Sequence, residues 1–393
     1  MRKFFLKRHI VFCCYVIVAL GASLQLYLLS PNVAIAPPYT LYNNYVIFRQ
    51  SFYHLIAGHN LYIFYDTEHW DLYKYSPTFA LLMGLLVKLP DIVQLTIWNT
   101  ANALLLYVAI RQLPYSNRTL SVLLWFVLLE LLTSMQNSQS NALMAGLMIG
   151  TYCMFEKGMI KAAAFLVVMA ALIKIYGAVV FCLFLFYPGK RRFIAWCVIL
   201  ATGMAALPLL VTPLHTLLWQ YHNWAQMMIA DEASCMGISV MGWLHTWFGA
   251  GESVRPFVNI VGIAMFLLPF TRWRLYKKDA YKLLMLAHML VWVVIFNHKA
   301  ESATYVIVMV GIGIWYFLRK RGRGCKVLLW TVFIFTSLSS TDIFPPYIHE
   351  HIFIPYVIKA VPCILAWVVI MAEILTIKEA TLNLASYKLH GEL

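Results

Sequence analysis

The chain has 393 residues, 62% of them hydrophobic and only 12% charged, with a net charge of +14 at neutral pH. Soluble globular proteins carry about 25% charged residues, so this composition excludes an ordinary soluble domain and points to a chain that folds in a bilayer. The positive balance does not indicate nucleic acid. The basic residues stand in short clusters between apolar runs (Arg2, Lys3, Lys7 and Arg8; Lys190, Arg191 and Arg192; Arg272, Arg274, Lys277 and Lys278; Arg319, Lys320, Arg321 and Arg323), as cytoplasmic loops do under the positive-inside rule.

The apolar runs 10–29, 162–187, 193–211 and 303–318 do not alternate polar with apolar residues, which excludes a barrel. The expectation is an all-α polytopic membrane protein of roughly ten to twelve transmembrane helices, each needing ~17–25 apolar residues. One integral membrane domain is expected over residues 1–393. Both termini are expected inside, with a first helix over about 10–30 that leads out. Ala34-Ile35-Ala36 resembles a signal-peptidase site, but a retained first helix is expected, because the rest of the chain inserts by itself.

Residues 31–74 form the first long external loop, with Pro31, Pro37 and Pro38 at its start. Apolar Val46, Ile47, Phe52, Leu55 and Ile56 predict a surface helix over 44–57, ended by Gly58. An acidic, aromatic segment follows, with Asp66, Glu68 and Asp71 among Tyr65, Trp70, Tyr73 and Tyr75. A carboxylate in such a setting can take a proton from a hydroxyl. The plainer reading is an interfacial belt of aromatics with solvated acids.

The stretch 75–88 is short and ends at Pro90, so it is expected to be re-entrant or otherwise unusual. The stretch 161–187 is long for one pass and holds Lys174 and Gly177 near its centre. Two short helices meeting at Lys174 are preferred, because they leave Arg111, Arg118, Lys157 and Lys161 inside and the polar turn 136–141 outside. An ionisable residue within such a run is a functional candidate, the alternative being a structural pair with Glu130. Gln139 and Asn141 in the turn can bind hydroxyls or phosphate oxygens, or can serve as turn formers and interhelical glue.

Helices over about 193–212, 256–272, 279–297, 302–318, 327–341 and 356–376 alternate with the basic loops. The loop 213–255 is then the second long external loop, 297–301 and 342–355 are also outside, and the tail from Lys378 is inside. Asn297-His298-Lys299-Ala300-Glu301 sets a cationic pair beside a carboxylate at an outer helix end, a pattern able to bind a phosphate or a hydroxyl. Asp231 and Glu232 are weaker candidates. Cys13, Cys14, Cys153, Cys182, Cys197 and Cys363 lie in apolar stretches, with Cys235 in an external loop, so neither a disulfide framework nor a metal site is expected.

In order, these motifs resemble glycosyltransferase family 87. Its surface helix ends in a pattern similar to Leu55-Ile56-Ala57-Gly58-His59-Asn60-Leu61-Tyr62. A Tyr-x-Pro-x-Phe-Ala motif is seen as Tyr75-Ser76-Pro77-Thr78-Phe79-Ala80, a Gly-Gln-x-Asn turn is similar to Ser138-Gln139-Ser140-Asn141, and Ile-Lys-Pro resembles Ile173-Lys174-Ile175. The resemblance implies a GT-C membrane fold and transfer of a hexose, mannose as best guess, from a polyprenyl phosphate to a glycolipid or glycan hydroxyl. Inversion, an outer-side reaction, a bacterial inner membrane and no cofactor also follow from it. The family's usual aspartate falls on Asn44, which cannot take a proton. The catalytic set is therefore Asn44 with Asp66, Glu68 and Asp71, one of the three acids serving as base. Lys174 and His298 are expected to bind the donor phosphate, and Tyr75, Gln139, Asn141 and Glu301 the substrate. A transporter or flippase for a lipid-linked or small substrate is the alternative. The long first loop does not fit it, and no internal repeat is visible.

Overall fold

The computed structural model describes residues 5–30, 40–231, 236–318, 321–379 and 382. Arg2, Lys3, Pro31, Ala34-Ile35-Ala36, Pro37, Pro38, Glu232, Cys235, Arg319 and Lys320 lie outside the described residues. The chain is all-helical, with no strand among the described residues. Helices Arg8–Leu29 (α1), Asn43–Ala57 (α2), Pro77–Met83 (α3), Asp91–Arg111 (α4), Asn117–Gln136 (α5), Asn141–Glu156 (α6) and Ile160–Ile173 (α7) make up the first half. The second half holds Lys190–Ala206 (α8), Leu214–Asp231 (α9), Val240–Phe248 (α10), Arg255–Leu267 (α11), Asp279–Ile295 (α12), Tyr305–Phe317 (α13), Arg323–Val332 (α14), the single turn Pro346–Ile348 (α15) and Val361–Thr376 (α16). Among the described residues, five segments are long and apolar enough to cross a membrane: α1, α4, α5, Lys190–Leu210 and Glu252–Thr271. Shorter apolar helices pack among them. The faces of α12 and α13 are buried nearly all round, as suits helices at the centre of a bundle.

The bundle has two chemically distinct ends. At one, Tyr107 donates to the carbonyl of Arg8 (3.2 Å), Arg111 bonds Asn117 (2.6 Å), Lys157 bonds Gln112, and Lys282 bridges Glu156 (3.2 Å) and Asp279 (3.0 Å). Arg272 bonds the carbonyls that close α16, and Arg321 pairs with Glu373 (2.5 Å). The described basic loops share this end, the one that the positive-inside rule leads one to expect in the cytoplasm.

The other end holds the long loops. Here α2 packs on α3, and Arg49 of α2 pairs with Asp91 at the start of α4 (2.5 Å). The chain from α2 to α4 therefore stays on one side, and the short stretch 75–88 does not cross. Ser76 accepts from the backbone N–H of Phe79 and Pro77 takes the first helical position, so the Tyr-x-Pro-x-Phe-Ala motif is a capped helix start. Phe79 then packs edge-on to Phe48 (5.4 Å between centroids) and Trp98 (6.0 Å). Gly58, with φ +70°, ends α2 in the left-handed conformation expected of it.

The stretch 161–187 is a hairpin of two short helices. α7 ends at Ile173, Lys174 is extended, and a 3-10 helix runs over Ile175–Phe186. Tyr187 stacks on Phe155 (4.7 Å, 6°) and donates to Glu156, so the chain returns to the end at which α7 began. Fourteen α-helical residues rise only ~21 Å, against ~30 Å of hydrocarbon. Lys174 thus stands at the tip of a hairpin shorter than a full crossing, at the end that points away from the basic loops.

Candidate functional site

The hairpin tip delivers Lys174 to the turn between α5 and α6. Its Nζ donates to Asn141 Oδ1 (2.8 Å) and Gln139 Oε1 (3.1 Å). Asn141 Oδ1 also accepts from the Tyr176 hydroxyl (3.1 Å), and Gln139 Nε2 donates to Glu301 Oε2 (2.8 Å). The ammonium also lies 5.7 Å and 5.8 Å from the ring centres of Tyr75 and Tyr176, within reach of their negative faces. Amide dipoles and aromatic faces thus hold the charge, with the nearest carboxylate one hydrogen bond further out. Two of three ammonium donors are accounted for by the amides. Glu130, the alternative partner, is committed elsewhere: Lys359 Nζ lies 2.9 and 3.0 Å from its two oxygens.

Lys174 lines a cavity of about 550 Å³. Asn44, Asp71, Lys74 and Tyr75 from the first loop, Gln139 from the turn, and Asp231, His298, Lys299 and Glu301 from the later loops share its wall. Asn141 acts behind it, through Lys174 and Tyr176. Asp66 and Glu68 do not line this cavity: Asp66 is exposed, and Glu68 sits 3.0 Å from His54 Nε2 on α2. Of the three acids proposed as base, only Asp71 reaches the site. Asn44 Nδ2 donates to the carbonyl of Asn137 (2.9 Å), which ties the start of α2 to the Gln/Asn turn. Asn43 Oδ1 accepts from the N–H of Trp70 (3.1 Å) and draws the acidic segment onto the same helix end.

The far wall is an ionic lattice. Lys299 pairs with Asp231 (3.0 Å), Lys74 approaches Asp231 (3.8 Å), and Lys74 pairs with Asp71 (3.2 Å). Lys74 is not among the candidates the sequence offers and Asp231 is a weak one; no local pattern relates residues so far apart, and only the i, i+3 spacing of Asp71 and Lys74 is a signal. The loop 297–301 is held from behind by Ile238, whose N–H donates to the Ala300 carbonyl (2.8 Å) and whose carbonyl accepts from the Tyr305 hydroxyl (2.9 Å). Gly237 makes this possible: its φ is +54°, and a Cβ there would collide with the His298 carbonyl. Glu301 caps the turn that opens α13, so its carboxylate has a fixed address.

Three lysines and a histidine facing carboxylates and amides can neutralise a phosphate while a carboxylate accepts a proton. Among the described residues no group of three or more His, Cys, Asp or Glu side chains is arranged to hold a metal ion.

No curated protein matches the sequence. The family description that does match is that of glycosyltransferase family 87, over residues 73–341, more than half of the chain. That span includes Tyr75, Gln139, Asn141, Lys174, His298 and Glu301, whereas Asn44, Asp66, Glu68 and Asp71 precede it. On that match, the chain belongs to glycosyltransferase family 87 and is a membrane glycosyltransferase.

Proposed function

We propose that the chain moves a hexose, mannose being the leading candidate, from a polyprenyl-phosphate donor to an acceptor hydroxyl, with inversion. The reaction takes place at the outer face of a bacterial inner membrane. The observation that supports this reading is Lys174, an ammonium at the tip of an apolar hairpin, held by Gln139 and Asn141 on the wall of the cavity. A lipid phosphate approaching from the bilayer meets a positive charge there before it meets water. An apolar groove of about 420 Å³ adjoins the cavity through Ile175, Tyr176, Asn297 and His298, and it suits the lipid tail.

The acceptor oxygen attacks the anomeric carbon as the bond to the phosphate oxygen breaks, through an oxocarbenium-like transition state. Negative charge then builds on the departing phosphate, where Lys174 and His298 offset it. Asp71 takes the acceptor proton. Tyr75, Gln139 and Glu301 position the sugar, and Asn141 orients Lys174.

The test is transfer from a synthetic polyprenyl-phosphate hexose by the purified chain. Lys174→Met is expected to accumulate in membranes and to lose transfer. Lys174→Arg is expected to keep donor binding and lose rate, because a planar guanidinium presents its donors differently. Normal turnover in Lys174→Met overturns the proposal.

A further inference from the structure

At the basic end of the bundle, far from the hairpin tip, α7 and α8 begin side by side. The two helices pack on each other, and Gly189, with φ +76°, brings the start of α8 so near Ile160 that a Cβ there would collide with its side chain. A groove of about 490 Å³ lies at this junction. Lys161 and Arg192 line it in the first turns of α7 and α8, Phe165 lines it one turn deeper along α7, and Leu200 about two turns deeper along α8. Phe165 is exposed, and α8 also exposes Ile194, Val198 and Ile199. Since Lys190–Leu210 is one of the segments long and apolar enough to cross a membrane, the floor of the groove lies at hydrocarbon depth and its cations at headgroup level.

The charge at the mouth is not balanced from within the chain. Lys190, Arg191 and Arg192 form the first turn of α8, and Lys161 stands in the first turn of α7. Neither turn holds an acidic residue or a side-chain cap. Cations at a helix start face the positive end of its dipole, an unfavourable arrangement. Lys161 Nζ lies over the Trp196 ring of α8, 4.8 Å from its centre, and among the described residues none of the four cations has a carboxylate partner. Glu156, the acid nearest in sequence to Lys161, is taken by Lys282 and Tyr187.

We infer that this groove binds an anionic phospholipid, its headgroup phosphate against Lys161 and Arg192 and an acyl chain along Phe165 and Leu200. Basic pockets between membrane helices suit such headgroups. A free phosphate would leave the apolar floor uncovered, and a zwitterionic lipid would bring an ammonium of its own to a mouth that is already positive. The site stands at the opposite end of α7 from Lys174, so it does not depend on where the donor phosphate binds.

The experiment is native mass spectrometry of the purified full chain released from detergent, titrated with dioleoyl phosphatidylglycerol, cardiolipin or dioleoyl phosphatidylcholine, and with glycerol 3-phosphate as the headgroup without its tails. The two anionic lipids are expected to bind more tightly than phosphatidylcholine, and glycerol 3-phosphate not to be retained. Lys161 and Arg192 are exposed, so Lys161→Gln and Arg192→Gln should fold, each weakening the anionic lipids about fivefold and the double variant roughly twentyfold. Arg323→Gln/Lys326→Gln, which removes two exposed cations from another basic loop, should leave that affinity unchanged. An equal loss there would mean general attraction of a positive surface and would overturn the site. Equal binding of phosphatidylcholine, retention of glycerol 3-phosphate, or wild-type affinity in the Lys161→Gln/Arg192→Gln variant would also overturn it. So would a matching loss in Lys174→Met, which would put the lipid in the central cavity instead.

Discussion

Ser138 opens the Ser138-Gln139-Ser140-Asn141 turn with a φ of +50°, a left-handed conformation that costs a residue with a Cβ ~1–2 kcal/mol. Its carbonyl accepts from Trp98 Nε1 (2.9 Å), which holds the turn down, while its own hydroxyl is buried without a partner. The glycine that stands here in the family's motif thus has a physical reason. Ser138→Gly should raise stability by about 1 kcal/mol, read as a higher Tm in detergent; a lower Tm would contradict the strain argument. The proton acceptor is a second residue-scale matter. Asp71→Asn should lower transfer ~10²–10⁴-fold, whereas Asp66→Asn and Glu68→Gln, off the cavity, should stay near wild type. A radiolabelled lipid-phosphate hexose provides the assay, and full activity in Asp71→Asn would remove the base from this loop. Asn44→Asp is no simple restoration of the family's acid, because it deletes the donor to the Asn137 carbonyl. The acidic segment was legible as a cluster. Which acid faces the cavity was not, because that depends on how α2 binds Trp70 and Glu68.

Helices were read closely where composition changes sharply. The surface helix expected over 44–57 runs over Asn43–Ala57, and the long apolar stretch breaks at Lys174 as preferred. The last part of the bundle was legible only in outline. The run expected over 327–341 is α14, then a π-helical turn at Phe333–Ser337, then a 3-10 turn. That turn follows a tertiary contact: Thr336 donates to the carbonyl of Lys359 (3.0 Å). Lys359 lies two residues after Val357, whose φ is +51°, and its ammonium reaches Glu130, Ser302 (2.7 Å) and Ser340 (3.0 Å). This buried pair ties α5 to the start of α13 and to the end of the α14 run. Removing one charge leaves the other unpaired, at a cost of ~3–5 kcal/mol, whereas removing both is milder. Lys359→Met should therefore fail to accumulate as monodisperse protein, and the double variant Glu130→Gln/Lys359→Met should recover much of the yield. Single variants as stable as wild type would show that the pair carries no such weight.

For the whole molecule, the polarity of the bundle is the testable statement. In a background without native cysteines, a cysteine at exposed Thr67 should react with an impermeant maleimide on intact cells, and one at exposed Lys190 only after permeabilisation. The reverse pattern would invert the topology. The expectation of this polarity comes from the sequence alone, since apolar length and lysine/arginine placement are local properties and the bilayer responds to them directly. All-helical class followed for the same reason, because each backbone polar group must be satisfied within its own segment. The family motifs, too, are contiguous stretches of chain. Only the tertiary structure decided the site. Lys174 found Gln139 and Asn141, Glu301 found Gln139, Lys359 took Glu130, and Lys74, Asp231 and Lys299 joined a wall that no local spacing announces. Those pairings depend on which helix ends the packing of α5, α6, α9 and α12 brings to one level, and residues more than a few turns apart carry no local record of that.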